Sequence, residues 1–180
     1  ANAGRPTNTR FPNSIVWLQS HRKKSVKWTR HVFAKGDATG GSHYTGLGDV
    51  NGDGQPDICC AAKGGKNFPG GEWFAWWEQP KRAGGAWTKH LLSDKQPGAT
   101  NILPVDLNRD GIMDFFATRG HGKGVLWFKG PKFEPIEIDS KIAGPHCLVL
   151  ADIDGDGDID AATCGRDVTG TAVWYENDGK

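Results

Sequence analysis

The stretch "DIDGDGDID" at residues 152–160 sets an aspartate at every second position, five in nine residues. Like charges this close repel one another unless a cation sits among them. The same spelling occurs as "DVNGDGQPD" at 49–57 and "DLNRDGIMD" at 106–114. Each copy has Asp at position 1, Asp or Asn at 3, Asp at 5, Gly at 6 and Asp at 9. Alternating oxygen ligands around a glycine turn suit a hard cation; calcium takes about 6–8 oxygens aimed at one point. Calcium is therefore the expected cofactor. The expected side-chain ligands are Asp49, Asn51, Asp53 and Asp57; Asp106, Asn108, Asp110 and Asp114; and Asp152, Asp154, Asp156 and Asp160. Position 7 adds the backbone carbonyls of Gln55, Ile112 and Asp158. Arg109 puts a positive charge inside the middle loop, which is expected to bind most weakly.

These loops are not EF-hands. That motif closes with a bidentate Glu at position 12, where this chain has Cys60, Ala117 and Thr163. The flanks "ILPVD" and "LVLAD" run in, and "DICCAA", "DFFAT" and "DAATC" run out. Such short apolar runs fit buried strands and are too short for helices. Each loop should join two adjacent antiparallel strands.

The 180 residues suffice for one domain with a core. Lys and Arg total 22 against 21 Asp and Glu, a balance that offers neither nucleic acid nor a membrane surface a dominant field. No run of about 18 apolar residues would cross a membrane. The sequence begins at Ala1 rather than Met, so a processed or excised chain is expected, with any export signal already removed. No CxxC pair supports a zinc ribbon. Cys59 and Cys60 read as small buried hydrophobes. Cys147 and Cys164 fall nearly opposite each other on the strands flanking the third loop, where a cross-strand disulfide is one option.

The repetition extends past the acidic loops. An aromatic strand follows each: "EWFAWWEQP", "GVLWFKGP" and "TAVWYEND", with Trp76, Trp127 and Trp174 matched. An earlier copy is "IVWLQS", around Trp17. Basic-aromatic strands come next: "KWTRHVF" at 27–33, "AWTKHLL" at 86–92 and a weaker "KFEPIEI" at 132–138. A unit of four strands recurring every 40–50 residues or so is a propeller blade. The loops, each followed by a "VWYEN"-like strand, resemble the FG-GAP/VCBS repeats of calcium-binding β-propellers, over residues 27–180. The resemblance implies an all-β propeller, normally of six to eight blades. This chain supplies about three to three and a half four-stranded blades in a single repeat domain, 1–180. It opens in a partial blade within 1–33 and stops at the third strand of its last blade. The partial ring is expected to be completed by missing chain or by a second copy, through strand addition at open edges.

Several residues suit either ligand binding or plain architecture. The matched tryptophans 76, 127 and 174 suit inter-blade packing. Trp73 has no aromatic counterpart, since Gly124 and Thr171 hold its place. It ends an insertion in the first blade, and insertions in repeat proteins fall on loops. There it is a candidate sugar-stacking face, with Lys63, Lys66 and Asn67 beside it, or else a locally packed residue. His43 and His146 occupy matched places near the channel, with Thr100 in the middle copy; they suit metal or proton chemistry, or structural hydrogen bonds. Arg119, His121 and Lys123 lie on the glycine-rich turn "TRGHGKG", which would suit a carboxylate or sulfate or else is a plain turn. His31 and His90 read as structural. The basic run "HRKKSVK" at 21–27 reads as a solvated turn.

The expected function is a calcium-stabilised, extracellular or periplasmic binding module whose ligand is a glycan or a protein, without nucleic acid or membrane insertion. The alternative is a propeller-scaffold enzyme, a polysaccharide lyase or sugar dehydratase, using channel histidines. No GxSxG, HExxH or carboxylate pair outside the loops supports catalysis.

Overall fold

The computed structural model describes residues 14–21, 27–166 and 170–179. Residues 1–13 of the expected partial blade and most of the basic run, 22–26, lie outside them. All regular elements among the described residues are strands. Strands β1 (Ser14–His21) and β2 (Lys27–Lys35) form a two-stranded sheet. The first full blade is β3 (Ser42–Gly48), β4 (Asp57–Ala62), β5 (Trp73–Glu78) and β6 (Thr88–Ser93). The second is β7 (Asn101–Val105), β8 (Asp114–Thr118), β9 (Lys123–Lys129) and β10 (Glu134–Ala143). The third has three strands, β11 (Pro145–Ala151), β12 (Asp160–Gly165) and β13 (Ala172–Tyr175). Each sheet is an antiparallel meander in sequence order, and none closes on itself. This is the partial, propeller-like all-β architecture that the repeat predicts.

The second strand of each blade explains the packing. Every residue of "DICCAA" in β4 and "DFFAT" in β8 is buried. Successive strand side chains point to opposite faces, so one strand feeds two interfaces. Cys59 and Ala61 join Phe74 and Trp76 against Phe115, Ala117 and Phe128 of the second blade. Ile58, Cys60 and Ala62 turn the other way and pack with Trp77 against Ile15 and Ala34 of the hairpin. Phe116 and Val125 meet Leu148 and Ala161 of the third blade. Glycine permits the close approach of inner strands: a methyl on Gly46 would lie 2.6 Å from both the Cys59 sulfur and the Ile102 carbonyl.

Strand β1 is the third strand of a blade and β2 the fourth. Trp17 stacks on His31 at 4.0 Å and 9°, as Trp76 stacks on His90 at 4.2 Å and 14°. His31 bonds Gln19 and His90 bonds Glu78, consistent with structural roles for both. The matched tryptophans differ in environment. Trp76 is buried between blades and Trp127 half-buried, but Trp174 is 46% exposed. All three face the following blade, and among the described residues no blade follows the third.

Candidate functional site

The acidic loops all join the first strand of a blade to its second, so they lie at one end of the blades. Their backbones are wound by their own side chains. Asp49 accepts the amides of Asp53 and Gly54, at 3.0 and 2.8 Å. Asp106 accepts those of Asp110 and Gly111 at 3.1 and 2.9 Å, and Asp152 that of Gly157 at 3.1 Å. At position 5, one oxygen of Asp53, Asp110 and Asp156 takes the amide of Gln55, Ile112 and Asp158 respectively. Gly54, Gly111 and Gly157 have φ of +85°, +81° and +95°, which a side chain resists.

That winding leaves oxygens with nothing to bind. Asp53 Oδ2 and Asn108 Oδ1 are shut off from solvent and accept no hydrogen bond. Each such orphan costs about 1–3 kcal/mol. Asn51 turns its own oxygen to the Asp53 amide at 3.1 Å. In the third loop, carboxylate oxygens of Asp152, Asp154 and Asp156 all lie within 4.8 Å of one another, a spacing at which one cation could engage all three. A hard divalent cation fits this donor set.

Position 9 works differently. Asp57, Asp114 and Asp160 are almost fully buried. In each, one oxygen accepts the amide of position 2: Val50 at 3.0 Å, Leu107 at 3.2 Å and Ile153 at 3.0 Å. The other accepts an amide just beyond the third strand: Gln79 at 2.8 Å, Gly130 at 2.7 Å and Asn177 at 2.8 Å. The residue is a clamp between loop and sheet. Burial raises the pKa of Asp57 and Asp114 despite these bonds. Arg109 does not keep its charge within its own loop. Its guanidinium leaves its own loop and pairs with Asp158 of the third loop, Nε to Oδ1 at 2.9 Å.

The opposite end of the blades carries a second cluster. His43 begins β3, His146 begins β11, and His121 sits in the β8–β9 turn. His121 Nε2 lies 2.9 Å from His43 Nε2 and 3.3 Å from His146 Nε2. Tyr44 Oη is 3.4 Å from His146 Nδ1. Burial, then the neighbouring His146, Lys63 and Arg166, holds His43 at about 4. Burial, then His43 and the same two cations, holds His121 at about 4 as well. His146 is lowered by burial, Arg166 and Lys63.

A repeat rule builds this cluster. Gly41, Gly98 and Gly144 each stand eight residues before position 1 of a loop. Their carbonyls accept the amides of Lys63, His121 and Arg166, at 3.3, 3.1 and 2.9 Å. Those three turn residues are structural equivalents, as are His43, Thr100 and His146 two residues after each glycine. The middle repeat thus carries its histidine on the turn instead of the strand. Matching strand positions alone misses the convergence; aligning the glycines and the turns reveals it.

The predicted stacking face is not available. Trp73 is 5% exposed, donates Nε1 to Thr39 O at 3.1 Å and Gly70 O at 2.9 Å, and lies edge-on to Trp77. It packs with Ile15, Ala34 and Ala38 in the core shared with the β1–β2 hairpin, and Lys89 Nζ lies 4.1 Å from its ring centroid. Lys63, Lys66 and Asn67 do come together with His121, lining a cavity of about 330 Å³ with Phe68 and Glu72. Arg119 is committed internally: it pairs with Glu137 at 3.0 Å through two nitrogens and with Gln96 at 2.9 Å. Cys147 and Cys164 are directly opposite across β11 and β12, as free thiols.

Sheets of serial antiparallel strands, packed blade to blade with an acidic loop at one end of each, define a propeller-type repeat protein. The FG-GAP-like repeat matches residues 49–117 and again 106–163, and the chain belongs to that family. A search of curated proteins found no match. Among the described residues no helix is long and apolar enough to cross a membrane.

Proposed function

We propose that this chain is a calcium-stabilised FG-GAP binding module that works outside the cytoplasm. The observation that carries this is the pair of buried, partnerless oxygens, Asp53 Oδ2 and Asn108 Oδ1, inside loops already wound around them. Asp49, Asp53, Asp106, Asn108, Asp110, Asp152, Asp154 and Asp156 would hold the ions, with Asn51 and the carbonyls of Gln55, Ile112 and Asp158 completing the shells. Asp57, Asp114 and Asp160 would add their remaining lone pairs. Loops that bind calcium at about millimolar affinity suit a compartment outside the cytoplasm, where the ion is abundant.

The ligand face is the end remote from the ions, where Lys63, Lys66, Asn67 and Arg166 gather. Its chemistry favours an acidic glycan over an uncharged one. Calcium bound only by the native state stabilises it by about 2.7 kcal/mol per site at a hundred times Kd. Chelation should therefore lower the melting temperature by several degrees, and calorimetric titration should find calcium-specific binding. Unchanged melting with no heat of binding refutes the reading. An array of sulfated and uronate glycans tests the ligand.

The convergence of Tyr44, His121 and His146 favours a second reading, a lyase acting on acidic polysaccharide. Absorbance from unsaturated product would establish it.

A further inference from the structure

We infer that His43, His121 and His146 form a zinc-type metal site whose fourth position takes an anionic ligand. It lies at the end of the blades away from the acidic loops and does not depend on the calcium reading.

Nitrogen spacing is the first ground. Ligands at about 2.0–2.1 Å around a tetrahedral zinc stand about 3.3 Å apart. The two His121 contacts are 2.9 and 3.3 Å, and all three ligating atoms lie within 4.8 Å of one another. The second is donor arithmetic. A neutral imidazole Nε2 is either one donor or one in-plane acceptor. His121 Nε2 faces both other rings, so hydrogen bonding satisfies one neighbour and leaves the other opposed. One cation engages all three lone pairs. The third is orientation. With Nε2 on a metal, His146 Nδ1 carries its hydrogen toward Tyr44 Oη, 3.4 Å away, and the phenol fixes the ring.

The fourth ligand follows from charge. Three neutral imidazoles do nothing to offset a dication, and Lys63 and Lys66 line the cavity beside His121. Borderline imidazole ligands suit zinc, cobalt or copper rather than calcium. Such a site gains an anion wherever one has access, and the cavity lined by Lys63, Lys66 and His121 gives it access. A carboxylate is the simplest such group.

The test is cobalt titration of the full chain in saturating calcium, with Cys147→Ser and Cys164→Ser installed to remove exposed thiols. We expect one equivalent of Co²⁺, an intense four-coordinate visible spectrum, and displacement by Zn²⁺. Acetate should shift that spectrum, and less so in Lys63→Met. His121→Ala should weaken binding about 100-fold with the circular dichroism intact. If that variant misfolds, His43→Gln should show the same loss. A six-coordinate spectrum, or unaltered affinity in a folded histidine variant, overturns the metal site. A spectrum indifferent to acetate overturns the anionic fourth ligand.

Discussion

Arg109 of the second acidic loop binds Asp158 of the third, Nε to Oδ1 at 2.9 Å, so one loop's cation lies against its neighbour's carboxylates. The sequence assigns that charge to the second loop; the fold moves it. Arg109 also holds φ of +55° at a position where Gly52 and Gly155 stand in the other loops. The left-handed conformation costs a non-glycine residue about 1–2 kcal/mol, against about 0.2–1 kcal/mol from an exposed ion pair. On the calcium reading, Arg109→Gln should tighten the third loop severalfold, because a positive charge beside its carboxylates is removed. Titrations with the third loop silenced by Asp154→Asn and Asp156→Asn separate the two loops. An effect confined to the second loop would show that the charge acts where the sequence puts it.

Positions 5 and 9 of a loop should separate ion binding from architecture. Asp114 is 0% exposed and accepts Gly130 N at 2.7 Å and Leu107 N at 3.2 Å. Asp114→Ala leaves both amides without partners, at about 1–3 kcal/mol each. That loss should appear in chelator as well as in calcium. Asp110→Ala, at an exposed position, gives up only the amides of Ile112 and Asn108 in chelator and should cost markedly more stability when calcium is present. Denaturant melts of both variants under both conditions check this; equal behaviour would dissolve the distinction between clamp and ligand.

The blade order was legible because its signals are local: acidic loops, apolar runs of strand length and a recurring aromatic strand. The β1–β2 hairpin could be read as the end of a blade from Trp17 and His31 alone, since the pair repeats at Trp76 and His90. What stayed hidden depends on contacts between repeats. Nothing in the spelling of Asp57, Asp114 and Asp160 says that both oxygens are tied to backbone amides on either side. Nor does "TRGHGKG" say which side chain turns inward; Arg119 is taken by Glu137, while His121 meets two histidines from other blades. A position without a repeat counterpart suggests ligand binding at Trp73, but the side chain is buried in the core shared with the β1–β2 hairpin.

Trp73 and Trp174 should therefore exchange the roles their sequence positions suggest. Trp73 is 5% exposed, with Lys89 Nζ 4.1 Å from its ring centroid and two hydrogen bonds from its indole. Truncation to Ala opens a cavity and should cost about 3–5 kcal/mol. Trp174, 46% exposed, should lose less than about 1 kcal/mol when truncated. Urea denaturation of both variants measures the difference. A small loss at Trp73 would return it to the list of available ligand residues.

The exposure of Trp174 leads to the last expectation, that the chain associates. Val149 is 59% exposed, and the exposed Cys147, Cys164 and Trp174 share its open face of the third blade. In the first two blades, the corresponding face of the third strand is closed by a neighbour: Trp76 is 6% exposed. Among the described residues β13 pairs with β12 alone, and no described strand lies on its other edge. The first two blades each place a fourth strand on that edge. Donation of β2 from another copy would supply it, but β2 is already held by β1 over eight paired positions, from Ser14↔Lys35 to His21↔Lys27. Association must therefore either displace that pairing or add the hairpin whole, and a head-to-tail contact of either kind continues until a ring closes. Light scattering across a concentration series should show a discrete oligomer, and Trp174→Glu should shift it toward monomer without loss of strand signal in circular dichroism. A chain that stays monomeric and soluble at every concentration would end the idea.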